Sequence, residues 1–415
     1  MTMHSDDSRT KNGKDDAGSP CEARRKPSPA SASRIAESAD APAGGLPAPG
    51  TASRLPQRVE LTYTLGTERP LGAVHHPLFS LIDALHRHGS IQSAADALGL
   101  SYRHVWGELR RWEGQLGRSL IVWNKGQRAM LTPFGEKLLW AERRAQARLA
   151  PQIEALRMEL ERALCDAFDD RIDVLSICAS HDHSLPLLRE LALAEQLHLD
   201  VEFAGSLEAL RALDAGRVQL AGFHVLDGAA RGSVSARAYR ARLRPGRHKL
   251  IGYAQRIQGL MVAPGNPYGV CSLHDMARPE LRWVGRAEGT GTQVLLQDLA
   301  EQAGLASPLR FALLEPSHAA AAQAVASGAA DGAFGLQAAA VASGLDFLPL
   351  ARERYFLATL KTALEQRAIK RLVALLASPA WTHTLGQLPG YQANEPGAVL
   401  ALTKVLPWWT YRRAR

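Results

Sequence analysis

From Ile172 onward the chain alternates apolar runs of strand length with amphipathic runs of helix length. Ile172–Cys178, Leu199–Phe203 and Val218–Leu226 read as strands, with helices Leu185–Leu197 and Leu207–Ala215 between them. Repeated βα units of this length are satisfied by a parallel sheet with helices on its faces. Lys249–Ala254 and Gly259–Ala263 read as strands crossing between two lobes. The second lobe then runs from about Val262 to about Gly335, and the chain returns at Leu345–Leu348. The expected fold class is α/β for this part, preceded by a smaller, mainly α unit.

That smaller unit follows a segment, 1–55, rich in Ser, Asp, Lys, Ala, Pro and Gly with almost no large apolar side chain. Such a composition buries too little surface to offset the entropy of ordering, so a disordered tail is expected. Val59–Leu65 alternates and reads as a short strand. Three helices come next. Leu78, Leu81, Ile82 and Leu85 stand at i, i+3, i+4 and i+7, and Gly89 ends that helix. Ser90 caps a second, with Ile91, Ala94, Ala95 and Leu98 on one face and Gly99 after it. Ser101 caps a third, with Val105, Leu109, Trp112 and Leu116 as its buried stripe. Two helices around a tight glycine turn form a helix-turn-helix. Leu120–Trp123 and Ala129–Leu131 flank Asn124–Arg128, a hairpin with a basic tip that reads as a wing.

Thr132 and Pro133 then start a long helix whose apolar positions are Leu138, Ala145, Leu149, Ile153, Leu156, Leu160 and Leu164. That spacing suits a homodimer seam, and Pro151 is expected to kink the helix or divide it.

Over residues 101–128 six basic residues face two acidic ones. With Val105 pointing inward, Arg103, Gly107 and Arg110 face outward, flanked by His104 and Arg111. Arginines on such a face reach guanine edges or phosphates of double-stranded DNA, and Gly107 lets the helix approach a groove closely. Ser101 at the helix start, with Lys125 and Arg128 on the wing, suits phosphate contacts. The net charge of +8 over 415 residues agrees with a polyanionic partner without demanding one.

The four cysteines, Cys21, Cys165, Cys178 and Cys271, lie far apart with no CxxC pair, and are expected as reduced thiols rather than a disulfide framework or zinc site. No metal site or cofactor is expected. The N-terminus lacks a secretory pattern and no window approaches the ~20 apolar residues of a membrane span, so the expected location is the cytoplasm with no membrane partner.

The chemistry-bearing segments are loops of small residues that follow strands. They are Ala179-Ser180-His181-Asp182, Ala204-Gly205-Ser206, Gly222-Phe223-His224 and, between a strand and a helix, Gly289-Thr290-Gly291-Thr292. Open α/β sheets bind ligands at such places. A glycine- and threonine-rich turn that opens a helix offers free N–H groups, hydroxyls and the positive end of a helix dipole to an anion. Candidate ligand-binding residues are therefore Ser180, His181, Ser206, His224, Gly289, Thr290, Gly291, Thr292 and Ser317, the last opening another helix. Asp182 is discordant beside an anion unless it orients a histidine or faces away. Ser180, His181 and Asp182 are adjacent in sequence, so their side chains diverge. With no nucleophile elbow, Walker loop or metal cluster, an enzyme is not expected.

Residues 75–140 resemble the N-terminal domain of molybdate-responsive ModE-type regulators, which are related to LysR-type winged helices. The resemblance rests on Gly89–Ala95, Leu100–Trp106 and Leu131–Leu139. Residues 172–392 resemble the periplasmic molybdate-binding-protein-like domain fused to such regulators, through Gly205–Leu210, Val262–Pro267, Gly289–Thr292 and Ala324–Asp331. The resemblance implies a two-lobed, type II periplasmic-binding-protein-like fold that closes on its ligand. Where an arginine often follows the Gly-Thr loop in that family, this chain has Gln293, one positive charge fewer.

The expected organisation is a tail (1–55), a winged helix-turn-helix (56–140), a connecting and dimerisation helix (141–168), a receptor (169–395) and a C-terminal extension (396–415). The expected function is transcriptional regulation governed by a small oxyanion effector, molybdate or tungstate. The alternatives are another small anion, such as an organic acid or a molybdenum-cofactor-related metabolite, and a cytoplasmic molybdate-binding or delivery protein.

Overall fold

A computed structural model describes residues 76–123, 129–168, 172–305 and 309–409. The expected tail, the strand Val59–Leu65, the wing tip with Lys125 and Arg128, and Thr410–Arg415 lie outside the described residues.

Helices α1 (Pro77–His88), α2 (Ile91–Leu98) and α3 (Tyr102–Leu116) form as their spacing and caps dictate. Ser90 accepts from the Ser93 amide and Ser101 from the His104 amide, each satisfying an N–H that the first helical turn leaves open. Gly99 holds φ at 66°, the left-handed cap that lets α2 turn sharply into α3. Leu81, Ile82, Leu85, Ala94, Val105 and Leu109 pack into one core. Strands β1 (Ile121–Val122) and β2 (Met130–Leu131) pair antiparallel, with Ile121 opposite Leu131. The buried Glu113 of α3 accepts from the Leu120 and Ile121 amides and so fixes the wing against α3.

Helix α4 (Pro133–Phe168) starts where Thr132 caps it by accepting from the Gly135 amide. Leu139 is buried in the core of α1 to α3, with Phe134 and Leu138 packed against it, so that core shares the helix and no break falls at 140. The helix runs on through Pro151 as a single 36-residue element, roughly 54 Å long. Of the two expectations at Pro151, a kink or a division, the division does not occur, because Pro removes only one donor and its neighbours stay helical. Further along, Met158 is buried among Leu175 and Ile177 of the receptor. Arg189 pairs with Glu154 and Glu161, which fixes this end of α4 to the first lobe.

The first lobe contains β3 (Asp173–Ala179), α5 (Leu185–Ala194), β4 (Leu197–Phe203), α6 (Ser206–Asp214), β5 (Leu220–Leu226) and α7 (Val234–Arg240). The second contains β7 (Trp283–Arg286), α8 (Gly291–Gln302), β8 (Leu313–Glu315), α9 (His318–Ala326), β9 (Gly332–Leu336) and α10 (Gln337–Ala342). Strands β6 (His248–Val262) and β10 (Asp346–Leu360), each of 15 residues, pair antiparallel and run through both lobes. The sheet order is β4-β3-β5-β10-β6-β9-β7-β8. The pairs within each lobe are parallel, and the long strands join them antiparallel. The two crossing strands read between Lys249 and Ala263 are thus one continuous strand.

Beyond α11 (Arg367–Leu376) and α12 (Pro379–Gly386), strands β11 (Tyr391–Gln392) and β12 (Val399–Ala401) add to β6. Leu400, Leu402, Leu406 and Trp408 are buried with Leu250 and Phe356. The segment 396–409 is therefore part of the receptor core rather than an extension, because its apolar run completes an edge of the first lobe. Cys178 is a buried free thiol, whereas Cys271 is disulfide-bonded, so the expectation of four reduced thiols fails at Cys271. No described helix is long and apolar enough to cross a membrane.

Candidate functional site

The two lobes meet at the small-residue loops. The Leu207 amide donates to the Gly289 carbonyl across the junction at 3.3 Å. A β-carbon on Gly291 would fall 2.3 Å from His224 Nε2 and 2.6 Å from Ser206 Oγ, so only glycine permits this approach. Ser206, His224, Arg286, Thr292 and His318 are all buried here. Thr292 Oγ1 and His318 Nε2 lie 3.2 Å apart.

Several of these polar atoms have no hydrogen-bond partner among the described residues, although His224 Nε2 lies 3.6 Å from a Glu353 oxygen. They include Ser206 Oγ, both nitrogens of His224, His318 Nδ1, and Nε and Nη1 of Arg286. Ser206 lies beside the Tyr239 hydroxyl, and Ser180 beside the Tyr355 hydroxyl, without forming well-shaped hydrogen bonds. Arg286 makes one recorded bond, from Nη2 to the Pro316 carbonyl at 2.7 Å. Buried polar groups are ordinarily paired, and an unpaired buried cation costs several kcal/mol. A concentration of unmet donors at one place is what an anion would satisfy.

The electrostatics agree. Burial lowers the Arg286 guanidinium to about 10, and the nearby Glu315 offsets only part of that. Burial, reinforced by Arg256, keeps His224 well below its ordinary value. His318 is held low by burial and then by Arg286 and Arg256. His181 falls to about 4 through burial and the adjoining His183. These rings are neutral, each able to donate from one nitrogen.

The other charges are matched. Arg256, fully buried in β6, pairs with Asp182 and, at 2.5 Å, with Glu353. Burial alone would raise the Asp182 carboxyl, yet Arg256 and hydrogen bonds from Ser184 and Tyr391 hold it at about 2. Asp182 is therefore taken up by Arg256, Ser184 and Tyr391, which answers its discordance and leaves it no role as a base for Ser180 and His181. Arg148 of α4 takes Glu315 by two hydrogen bonds of 2.6 and 2.8 Å. Arg286, buried at this junction, has no carboxylate hydrogen-bonded to it among the described residues.

Of the residues picked from sequence, Ser206, His224, Gly289, Gly291 and Thr292 converge. Ser180 lies toward Tyr355, and His181 packs on Phe203 with ring centroids 5.2 Å apart. Thr290 spends its hydroxyl within its own loop, donating to the Ala287 carbonyl and accepting from the Gln293 amide. Ser317 caps α9 through the Ala320 amide and donates to the Ala147 carbonyl of α4, so its hydroxyl turns to α4 and away from the cleft. Both assignments fall to local capping, which takes a serine or threonine at a helix start before any ligand can. Sequence reasoning missed Arg286, His318 and Arg256. Arg286 was findable, since it ends a strand directly before the Gly-Thr loop, where α/β sheets place ligand groups. It also restores the positive charge that Gln293 removes. Arg256, in the middle of a long strand, carried no signal.

On the DNA-binding unit, Arg103, His104, Gly107, Arg110 and Arg111 are all exposed on α3. Arg110 lies over the Trp106 ring at 4.3 Å and pairs with Glu113. Arg111 pairs with Glu108. Arg103 has no recorded partner among the described residues. Ser101 is exposed and its hydroxyl caps α3.

Comparison with known proteins agrees with this division. Residues 78–136 match the bacterial regulatory helix-turn-helix protein, lysR family, and residues 188–377 match the PBP superfamily domain. The chain thus carries a segment similar to the LysR-family helix-turn-helix, followed by one similar to the PBP superfamily domain. Among individual relatives, the uncharacterized protein YvgK of Bacillus subtilis (strain 168) is 31% identical over 207 residues, covering 49% of this chain and 65% of YvgK. The match thus spans less than two thirds of that protein. Among solved structures, the Corynebacterium glutamicum OxyR C206 mutant is similar over 74% of this chain and 93% of its own, at 17% identity and a TM-score of 0.38. Full-length CbnR complexed with its target DNA is similar over 72% and 97%, at 19% identity and a TM-score of 0.37.

Proposed function

We propose that this chain is a one-component regulator that binds double-stranded DNA through α3 and its wing and senses a small oxyanion, molybdate or tungstate, between the two receptor lobes. It works in the cytoplasm, where its DNA is, as a homodimer, and is not an enzyme. The observation that carries the oxyanion is Arg286, a buried guanidinium with no carboxylate of its own, next to a Gly-Thr loop that opens α8. Neutral His224 and His318, with Ser206 and Thr292, add uncharged donors around it. Such a set suits an oxyanion with oxygens in several directions, because it compensates charge without requiring many cations. The lobes meet directly, so the ligand enters by parting Gly205–Ser206 from Gly289–Gly291.

The test is a fluorescence anisotropy titration of the full chain on DNA from upstream of its own gene. Molybdate, tungstate or sulfate is added at fixed ionic strength. Molybdate or tungstate is expected to change DNA affinity, with sulfate weaker because a cleft sized for the larger ions leaves sulfate longer hydrogen bonds. An unchanged DNA affinity with all three, together with a response to a small organic anion, transfers the site to that ligand class.

A further inference from the structure

Glu315 and Arg286 are register partners on the adjacent parallel strands β8 and β7, whose spacing is about 4.8 Å. Both are buried, and they carry opposite charges. An isolated pair so placed would neutralise itself. Here it does not, because Arg148 reaches from α4 and holds both Glu315 oxygens, at 2.6 and 2.8 Å. Arg286 turns instead to the Pro316 carbonyl. The four residues from 315 to 318 thus form a junction. Glu315 and Ser317 bind α4, Pro316 receives Arg286, and His318 reaches Thr292.

We infer that Arg148 is a positioning residue of the anion site, supplied by the helix that carries α1 to α3, which keeps Glu315 off Arg286 and so leaves the Arg286 charge uncompensated and free for the ligand. This rests on the oxyanion reading of the cleft. When α4 leaves the second lobe, Glu315 loses its partner. A buried carboxylate then takes the nearest cation, and Arg286 is spent inside the protein. Anion binding and α4 docking therefore favour each other, and by reciprocity the ligand holds α4 against the receptor. The other end of α4 is fixed to the first lobe by Arg189 with Glu154 and Glu161, so the helix bridges both lobes. Ligand occupancy then acts on the element that carries α1 to α3.

The test uses the full chain and four proteins, wild type, R148Q, E315Q and R148Q/E315Q, titrated calorimetrically with sodium molybdate and sodium tungstate. Arg148 is 43% exposed and its guanidinium is held by both Glu315 oxygens, so a loss in R148Q is read through Glu315. R148Q is expected to weaken binding by roughly 5- to 100-fold, the usual span of coupling between sites. E315Q should bind at least as well as wild type, and the double variant should recover what R148Q loses. That recovery is the readout a merely structural role would not give. R148Q binding like wild type overturns the inference while leaving the anion site standing, and so does a double variant as weak as R148Q. A wild type that binds neither salt defeats the anion reading and this coupling with it.

Discussion

The backbone of Gly291 stands against His224, so that a β-carbon there would lie 2.3 Å from the imidazole Nε2 and 2.6 Å from Ser206 Oγ. Gly291 belongs to the second lobe and His224 to the first. Their approach makes the fit of the two loops a property of one missing side chain. Gly291→Ala is expected to keep the lobes apart, lowering anion affinity by about tenfold or more, while a change confined to the junction shifts the melting temperature little. Calorimetry paired with thermal melting checks this. Wild-type affinity in the alanine variant would show that closure does not depend on this contact.

On α3, Arg103 is exposed with no partner among the described residues, while Arg110 is stacked on Trp106 and paired with Glu113. Arg103→Ala should cost about 1–3 kcal/mol in specific DNA binding, the worth of one good bidentate base contact, and relax sequence preference at one position. Arg110→Ala should also weaken specific binding, its guanidinium leaving Trp106 for the groove. Binding to operator and to unrelated DNA, measured side by side at one salt concentration, separates base from phosphate contacts. Equal operator affinity for wild type and Arg103→Ala would move the recognition face elsewhere.

Leu149 and Leu156 remain 37% and 50% exposed on α4, an apolar pair left uncovered by the described residues. A second copy of the helix is the proposed cover. Leu149→Asp with Leu156→Asp puts like charges into that seam and should yield monomers in sedimentation at concentrations where wild type is dimeric. A double variant that still sediments as wild type places the seam elsewhere.

The buried histidines give a pH prediction with a definite sign. His181, His224 and His318 titrate below the ordinary 6.5 when folded, because burial disfavours their charge. The unfolded chain therefore binds their protons first. Their contribution is fully present above about 6.5 and is lost as pH falls toward about 4, where His181 titrates. Asp182, at about 2 against an ordinary 3.8, adds stability that is lost only below that window. Glu353 is raised by burial and acts in the opposite sense, its contribution fading as pH rises through its folded value. Thermal stability should fall between pH 7 and pH 5, and His224→Gln with His318→Gln should flatten the fall. A wild-type melting temperature that stays level across that range contradicts the assignment.

The α/β order, the caps at Ser90 and Ser101, and the meeting of Ser206, His224 and Gly291 were legible because each has a local signature: periodicity, a capping residue, or a small loop after a strand. Less legible was anything fixed by contacts distant in sequence. Arg256 meets Asp182 across 74 positions, and Arg148 meets Glu315 across 167, with no pattern at either end to announce the pair. The misplacing of 396–409 outside the core has the same origin. Its short strand is recognisable only once β6 offers an edge to pair with. Thr290 and Ser317 illustrate a different limit, since a hydroxyl at a helix start looks the same in sequence whether it caps the helix or awaits a ligand.

The central claim is that a small oxyanion binds at Arg286. Isothermal calorimetry of the full chain with molybdate, tungstate and sulfate, on wild type and Arg286→Gln, tests it most directly. Molybdate or tungstate should bind wild type with sulfate weaker, and the shorter, neutral glutamine variant, checked as folded by thermal melt, should show no heat with any of them. Equal binding by wild type and Arg286→Gln, or no binding by wild type to any of the three, contradicts the account.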